Sequence, residues 1–265
     1  MPSRKPSFER KKLAELTIED AKSFRHIELY GDLEKVLRND DYAFRVLPDD
    51  GIARWDRALF LNLTYWAAAE GGDVLIEPSI PADVVAHVAW HHLATKALAA
   101  PAGKRPPVSA LFLGEAIASA FDVYLVGRVL GRSPDSSFLQ TQVGAMSETA
   151  EAAGLPEADF ERLIEGVAED PEGAFASLRQ MLVDVTAALF AAERAEDAAD
   201  ILASFESHRF GALMHRFELS NWLLYARAYG DAAPCEKTAA VEKALREATD
   251  PLKWLSDSWV RPALR

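Results

Sequence analysis

One long apolar segment, from Val108 to Leu130, constrains the fold of this chain more than any other feature. Its apolar residues occur nearly all round a helical wheel rather than along one stripe, which is typical of a helix that is buried on all sides. Gly131 follows and ends the helix. Because other elements must cover such a helix, the segment predicts a domain built from several packed helices.

Glycine and proline residues divide the rest of the chain into further segments with a helical spacing of apolar residues. Thr17 to Asp20 resemble a capping box, which predicts the start of the first helix. The predicted helices span residues 17–30, 53–70, 81–99, 108–130, 135–153, 157–169, 171–205, 208–229 and 234–249. The sequence therefore predicts an all-α, mainly helical fold. It is a single bundle-like domain over residues 17–265, with a basic tail over residues 1–16 and at most one short strand near 73–77.

The chain is acidic, with a formal net charge of -12. Such a charge repels phosphate backbones, so general nucleic-acid binding is not expected. The tail is an exception, because its first twelve residues carry five lysines or arginines against one glutamate. A solvated tail is the simpler interpretation, and a docking arm for an acidic partner is the alternative.

Cys235 is the single cysteine, so no intramolecular disulfide can form, which is typical of a reducing compartment. No apolar run reaches membrane-spanning length, and no signal segment opens the chain. We therefore expect a cytoplasmic protein without a membrane partner.

Three polar side chains recur every four residues within the predicted helix 81–99. Asp83, His87 and His91 lie on one face, because residues four apart are neighbours on a helix. Two histidines at this spacing can bind one zinc or iron ion through their imidazole nitrogens. The alternative is an ordinary histidine pair at the protein boundary. His92 is turned roughly 140° away from His87 on the helical wheel, so it is not expected to bind the same ion.

The apolar helix carries polar residues on one face, namely Glu115, Ser119 and Asp122. A carboxylate on a buried helix costs free energy unless it is paired or bound to a metal ion. Histidine ligands on one helix and carboxylates on the next would meet that need. The alternative is that these carboxylates pair with Arg128, Lys96 or another arginine.

A third group lies on the predicted helix 208–229, where His208 and His215 are seven residues apart and share a face. If this helix packs against the other two, either histidine can supply a fourth ligand or a general acid-base group. Mixed histidine and carboxylate ligands on bundle helices serve non-haem iron as well as zinc. The simpler interpretation is a pair of boundary histidines.

The motif HVAWH, which begins at His87, and the motif GEAIA, which begins at Gly114, resemble zinc metalloproteases of the gluzincin type. Those enzymes carry HExxH on one helix and a third ligand, a glutamate, on a later helix, often within Glu-Gly-x-Ala. The resemblance covers residues 82–122. It implies His87, His91 and Glu115 as three metal ligands.

The chain departs from this family at two positions. Val88 stands where the catalytic glutamate acts as general base, and valine cannot move a proton. Ala116 stands where a glycine usually follows the ligand glutamate. The resemblance therefore implies a metal site rather than peptide hydrolysis. If the chain did hydrolyse peptides, Asp83, Asp122 or His215 would have to supply the base.

Three hypotheses follow. The first is a metal-dependent enzyme of unknown substrate, not an ordinary peptidase, that holds zinc or non-haem iron at His87, His91 and Glu115. Asp122 and His215 are its expected catalytic residues, and a small molecule or a peptide is its expected ligand. The second is a zincin-like protein without catalysis that serves in binding or regulation. The third is a metal-free helical interaction module whose acidic surface meets a basic partner.

Overall fold

The computed structural model describes residues 8–47 and 74–265, and helices make up most of this part of the chain. The α-helices are α1 (Ala21–Phe24), α2 (Glu28–Asn39), α3 (Ala82–Ala97), α4 (Val108–Val129), α5 (Ser137–Ala152), α6 (Glu157–Glu169), α7 (Pro171–Ala191), α8 (Ala195–Ser204), α9 (Leu219–Tyr229), α10 (Glu236–Glu247), α11 (Pro251–Leu255) and α12 (Arg261–Ala263). The prediction of a mainly helical fold is confirmed. The predicted helix 53–70 and residues 1–7 of the predicted tail lie outside the described residues.

The described residues also contain five short strands, where the sequence predicts at most one. They are β1 (Glu9–Lys12), β2 (Thr17–Glu19), β3 (Ala43–Val46), β4 (Val74–Leu75) and β5 (Ser79–Pro81). Strand β3 pairs antiparallel with β1 and parallel with β4, while β2 pairs in parallel with β5. Strand β1 lies within the predicted basic tail, and β4 lies within the predicted strand region 73–77. Strands of two to four residues are too short to show an alternating pattern, so pairing with distant segments defines them.

The first helix begins later than the capping-box pattern at Thr17 predicts. Residues Thr17–Glu19 form β2, and their backbone groups pair with those of β5. Asp20 then adopts a left-handed backbone conformation with φ 53°, and α1 starts at Ala21. Hydrogen bonds to β5 thus replace the helical ones expected at Thr17. The pairing places the N-terminal strand β2 next to the start of α3, because β5 directly precedes that helix.

Helix α4 is buried along nearly its whole length, as its apolar sequence predicts. It packs against α3, α6 and α7, and it also contacts α5, α9 and α10. The close approach of α6 depends on Gly127, because a Cβ at this position would lie 2.4 Å from the carbonyl oxygen of Val167. Helix α4 is therefore covered by its neighbours, and its polar residue Glu115 is buried with it.

Two of the described helices, α4 and α7, are long and apolar enough to cross a membrane by length and composition alone. The expectation that no apolar run reaches this length is therefore wrong. The core helix of a soluble protein passes the same test, and 89% of the most apolar window of α4 is buried inside the protein, against 50% for α7. These helices assign no location, and the cytoplasmic location remains a prediction.

The C-terminal half contains more helix ends than the sequence predicts. Helices α7 and α8 occupy a stretch for which the sequence predicts one helix. The predicted helix 208–229 is a 3-10 segment, Gly211–Phe217, followed by α9. Glu218 between them has a left-handed φ of 47°, which interrupts the helix although the apolar spacing continues across it. His208 and His215 therefore do not share the face of one α-helix, which corrects the prediction.

Candidate metal centre

Helix α3 brings its two histidines together, as their four-residue spacing predicts. The ring centroids of His87 and His91 lie 4.9 Å apart. His87 and Asp83 are buried, and the side chain of His91 retains 27% of its exposure. The helix starts directly after Pro81, the last residue of β5, so the β2–β5 pairing determines where its first turn lies.

Glu115 of α4 lies against this pair of histidines. Its Oε2 atom is 3.5 Å from Nε2 of His91. One potential ligand atom from each of His87, His91 and Glu115 lies within 4.8 Å of the other two. Zinc binds such atoms at about 2.0–2.2 Å, so a small inward adjustment would let the three share one ion. Gly114, the residue before Glu115, lies directly against α3, since a Cβ there would be in contact with the Cβ of Ala94 at 3.4 Å.

Nε2 of His91 is buried and makes no hydrogen bond with any of the described residues. A buried polar atom left without a hydrogen bond costs about 1–3 kcal/mol. Six other buried side-chain atoms of the described residues also make no hydrogen bond, so what distinguishes this nitrogen is that two further potential ligand side chains lie beside it. A metal ion held by the ligand group would satisfy this nitrogen.

Asp122 also belongs to the site, because it contacts His87. Its Oδ2 atom lies 2.9 Å from Nδ1 of His87, within hydrogen-bonding distance. Carboxylates commonly hold metal-binding histidines in this way, which fixes the ring orientation and the tautomer. The predicted polar face of α4 is thus present, with Glu115 beside the histidine pair and Asp122 against Nδ1 of His87.

The surroundings shift the pKa values of the two imidazoles in opposite directions. Burial lowers the pKa of His87, but the charge and hydrogen bond of Asp122 act in the opposite direction. The charges of Glu115 and Asp83 add to this effect, and the pKa of His87 rises to about 9. Burial lowers the pKa of His91 well below its ordinary value, and the positive charge of His87 lowers it further. His91 is therefore neutral at physiological pH, which is the form that binds metals.

A cleft of about 290 Å³ opens beside the ligand group. Its lining consists of Asp83, Val84, His87, Glu115, Ser119, Asp122, Val123, Val126, Gln142, Met146, Arg216, Phe217, Glu218 and Trp222. Burial raises the pKa of Asp83 to about 6, and the nearby charge of Asp122 contributes. The cleft therefore combines a polar wall from α3 and α4 with an apolar surface.

The histidines of the third predicted group lie elsewhere. His215 is exposed on the 3-10 segment and does not line the cleft, whereas the next residue, Arg216, does. His208 lies 3.2 Å from the hydroxyl of Ser177 and accepts a hydrogen bond from the backbone of Phe210. The structure thus brings neither histidine to the ligand group, and the geometry gives no support to a role for either in it.

The two cations considered as alternative partners of the buried carboxylates form ion pairs in other places. Arg128 lies 3.7 Å from Glu172, and Lys96 lies 2.6 Å from Asp40. His92 contacts the same Asp40 at 2.6 Å, which agrees with its predicted direction away from His87 on the helical wheel.

Sequence reasoning missed Gln142 and Arg216, which line the cleft from α5 and from the 3-10 segment. Neither residue lies in a motif or at a spacing that marks it as functional. Their position depends on how α5 packs against the 3-10 segment, and a local pattern does not reveal such packing.

Comparisons of the chain with protein-family models, with curated proteins and with solved structures found no match. The resemblance to gluzincins therefore remains a prediction from two short motifs. What can be inferred about function depends on the buried group His87, His91 and Glu115, which could hold a metal ion.

Proposed function

We propose that this protein binds one divalent transition metal ion, zinc or iron, and uses it as an enzyme acting on a small molecule. The observation that supports the proposal is the buried group of His87, His91 and Glu115, in which Nε2 of His91 makes no hydrogen bond with the described residues. Two histidines and a glutamate are a donor set that zinc and non-haem iron both accept. Three protein ligands also leave a coordination position for substrate, as catalytic sites require.

Each side chain then has a distinct task. Asp122 lies at Nδ1 of His87, so His87 would release the proton on Nε2 and bind the ion through that nitrogen. When bound, the ion supplies Lewis-acid chemistry at an oxygen of the substrate. Asp83 lines the same cleft, and with a pKa of about 6 it can hold or release a proton there near neutral pH.

The size of the cleft supports a small-molecule substrate rather than an extended peptide. Its volume of about 290 Å³ is at the lower end of the range for ligand pockets. Val88 occupies the position of the general base in the gluzincin pattern, but it is 1% exposed and belongs to the hydrophobic core. We therefore do not propose an ordinary peptidase.

The same valine favours a second candidate, a zincin-like protein that binds a ligand or regulates a partner without catalysis. This candidate shares the metal site and differs only in turnover. Metal-loaded protein that binds small ligands in the cleft but converts none of them would support it over the enzyme.

Metal analysis tests the first step. Protein purified without a chelating tag should hold close to one equivalent of zinc or iron per chain, measured by elemental mass spectrometry. The double variant His87→Ala plus His91→Ala should hold none. His92→Ala is the matched control, because it removes a histidine of the same helix that binds Asp40 instead. Full occupancy in the double variant, or no uptake by the natural protein after dialysis against either metal, would contradict the proposal.

A further inference from the structure

The cleft beside the ligand group is lined by more negative than positive side chains. Its carboxylates, among the described residues, belong to Asp83, Glu115, Asp122 and Glu218. Arg216 is the single lysine or arginine in the same lining. A divalent ion held by neutral histidines brings two positive charges, and Arg216 brings a third. The four carboxylates exceed these charges by one, so one monovalent cation would balance the cleft.

One oxygen of Asp122 lacks a hydrogen bond with the described residues. Oδ2 of this carboxylate lies 2.9 Å from Nδ1 of His87, whereas Oδ1 is buried without a hydrogen-bonding partner among them. Of the buried atoms in this condition, Oδ1 is the one whose residue lines the cleft. The proposed ion would lie at Nε2, on the other side of the imidazole ring, so it does not satisfy this oxygen. A ligand that donates an N–H bond would do so.

Asp83 is the second carboxylate that can receive such a donor. It is buried, it lines the same cleft, and it lies close enough to Asp122 for the two charges to interact. Its Oδ2 atom accepts a hydrogen bond from Nε2 of Gln142 at 3.0 Å. Oε1 of Gln142 accepts one from Arg216, which sets the orientation of the amide. The carboxylate is thus held in place, and it can accept further hydrogen bonds, because two oxygens offer about four lone-pair sites.

The remaining lining of the cleft indicates what the cation is attached to. Its apolar and aromatic members are Val84, Val123, Val126, Met146, Phe217 and Trp222. An aromatic ring attracts an ammonium group as well as covering hydrocarbon. A quaternary ammonium has no N–H donor for Oδ1 of Asp122, and a bare metal cation has no apolar part. The lining therefore favours a short hydrocarbon chain that carries a primary ammonium group.

We propose that the substrate is a small primary amine whose ammonium group donates hydrogen bonds to Asp83 and Asp122. Its hydrocarbon part lies along the apolar lining, and its reacting oxygen lies at the group formed by His87, His91 and Glu115. This inference rests on the proposed function, because it places the reacting end of the substrate at the metal site.

Hydroxamic acids of equal length provide the test, since the hydroxamate group binds zinc or iron directly. Calorimetric titration of metal-loaded protein at pH 7 compares compounds whose chain, of about three to five methylene groups, ends in an ammonium, a methyl or a carboxylate group. At least one ammonium compound should bind about 10- to 100-fold more tightly than its methyl partner. The carboxylate compound of the same length should bind no more tightly than the methyl one, because the carboxylates of the lining repel it.

Two variants connect this gain to the proposed residues. Asp83→Asn should reduce the ratio of the ammonium affinity to the methyl affinity by about tenfold, because a charged acceptor becomes a neutral amide. Glu148→Gln should keep the ratio, since Glu148 is an exposed carboxylate of α5 that does not line the cleft. If Asp83→Asn does not fold, the three end groups compared on the natural protein still decide the question.

The inference is overturned if no ammonium compound gains over its methyl partner, if the carboxylate compounds gain as much, or if the gain survives in Asp83→Asn. These outcomes leave the proposed function intact, because the methyl compounds still report binding of the hydroxamate to the metal. If the protein holds no metal and binds no hydroxamate, the proposed function fails, and this inference fails with it.

Discussion

Nε2 of His91 is buried without a hydrogen bond to the described residues, and two further potential ligand side chains lie beside it. Such an atom destabilises the folded chain unless a ligand occupies the site. A metal ion bound only to the native state adds stability that grows with the ratio of ligand concentration to Kd, about 2.7 kcal/mol at a hundredfold excess. We therefore expect the free energy of unfolding to depend on bound metal, and this dependence to be lost when a ligand side chain is replaced.

Glu115→Gln separates a ligand from a structural carboxylate. The melting temperature of the natural protein should fall when a chelator removes the metal. Glu115→Gln should already melt near the chelated value, because the amide is a poor ligand and the variant no longer buries a charge. Thermal melts with and without chelator measure both effects, and the exposed Glu151→Gln serves as control. If the melting temperature of the natural protein does not change when chelator is added, a stabilising metal at this site is ruled out.

Asp122→Asn tests the carboxylate that holds His87. The variant should bind metal about 10- to 100-fold more weakly, because the ring loses its charged acceptor while all three ligands remain. Competition with a coloured chelator measures the affinity. Asp197→Asn removes an exposed carboxylate of α8 and should leave the affinity unchanged. Equal affinities in the two variants would show that Asp122 has no part in holding the ion.

For single residues, the sequence predicts the three proposed metal ligands but not all the residues that line the cleft. The four-residue spacing of His87 and His91 and the buried position of Glu115 follow from helix geometry, which local sequence reveals. Arg216 and Gln142 meet through packing between segments that are 74 residues apart. No local pattern contains that information.

The start of helix α5 is held by Asp20, a residue far away in the chain. Asp20 accepts hydrogen bonds from the hydroxyl of Ser136 and from the backbone N–H of Phe138, in the first turn of that helix. It also accepts one from Ser23 at the start of α1. Burial raises the pKa of Asp20, but these hydrogen bonds outweigh that effect and lower the pKa below its ordinary value.

Asp20→Asn should therefore destabilise the protein in a pH-dependent way. The variant keeps a residue that tolerates the left-handed conformation, so it tests mainly the charge. A lowered folded-state pKa contributes stability that is present above the unfolded pKa of about 3.9 and is lost as pH falls through the folded value. We expect a deficit of about 1–2 kcal/mol at pH 7 that shrinks below about pH 4.

Urea unfolding at a series of pH values measures this deficit. The control is Asp200→Asn, which changes an exposed carboxylate on α8. A deficit that stays constant down to pH 2 would mean that the charge of Asp20 does not stabilise the fold.

Long helices with continuous apolar spacing, such as α4, were predictable because their own sequence determines their burial. The short strands were not, because β2 and β5 are defined by pairing with each other across some 60 residues of chain. The helix break at Glu218 was also missed, since a left-handed glutamate in that position has no sequence signature.

For the molecule as a whole, the position of Val88 in the core limits the range of activities. We expect no hydrolysis of proteins or peptides above background, because loss of a general base typically costs about 10²–10⁴-fold in rate. Val88→Glu should not restore it, since a carboxylate at a position that is 1% exposed should destabilise the fold instead. A fluorogenic peptide assay and a melting curve of each protein check both expectations. Chelator-sensitive hydrolysis by the natural protein would point to Asp83 or Asp122 as the base.

The ligand group also has a consequence for the order of events during synthesis. All three proposed ligands lie on consecutive helices, α3 and α4, and Arg216 follows the last of them by about 100 residues. At about 5–20 residues per second, the ribosome releases the ligand-bearing hairpin several seconds or more before the opposite wall of the cleft. An ion captured by the nascent chain would hold these two apolar helices together before α7 is available to cover them. Metal supply would then influence how much of the newly made protein escapes aggregation, as well as how much of the finished protein is active.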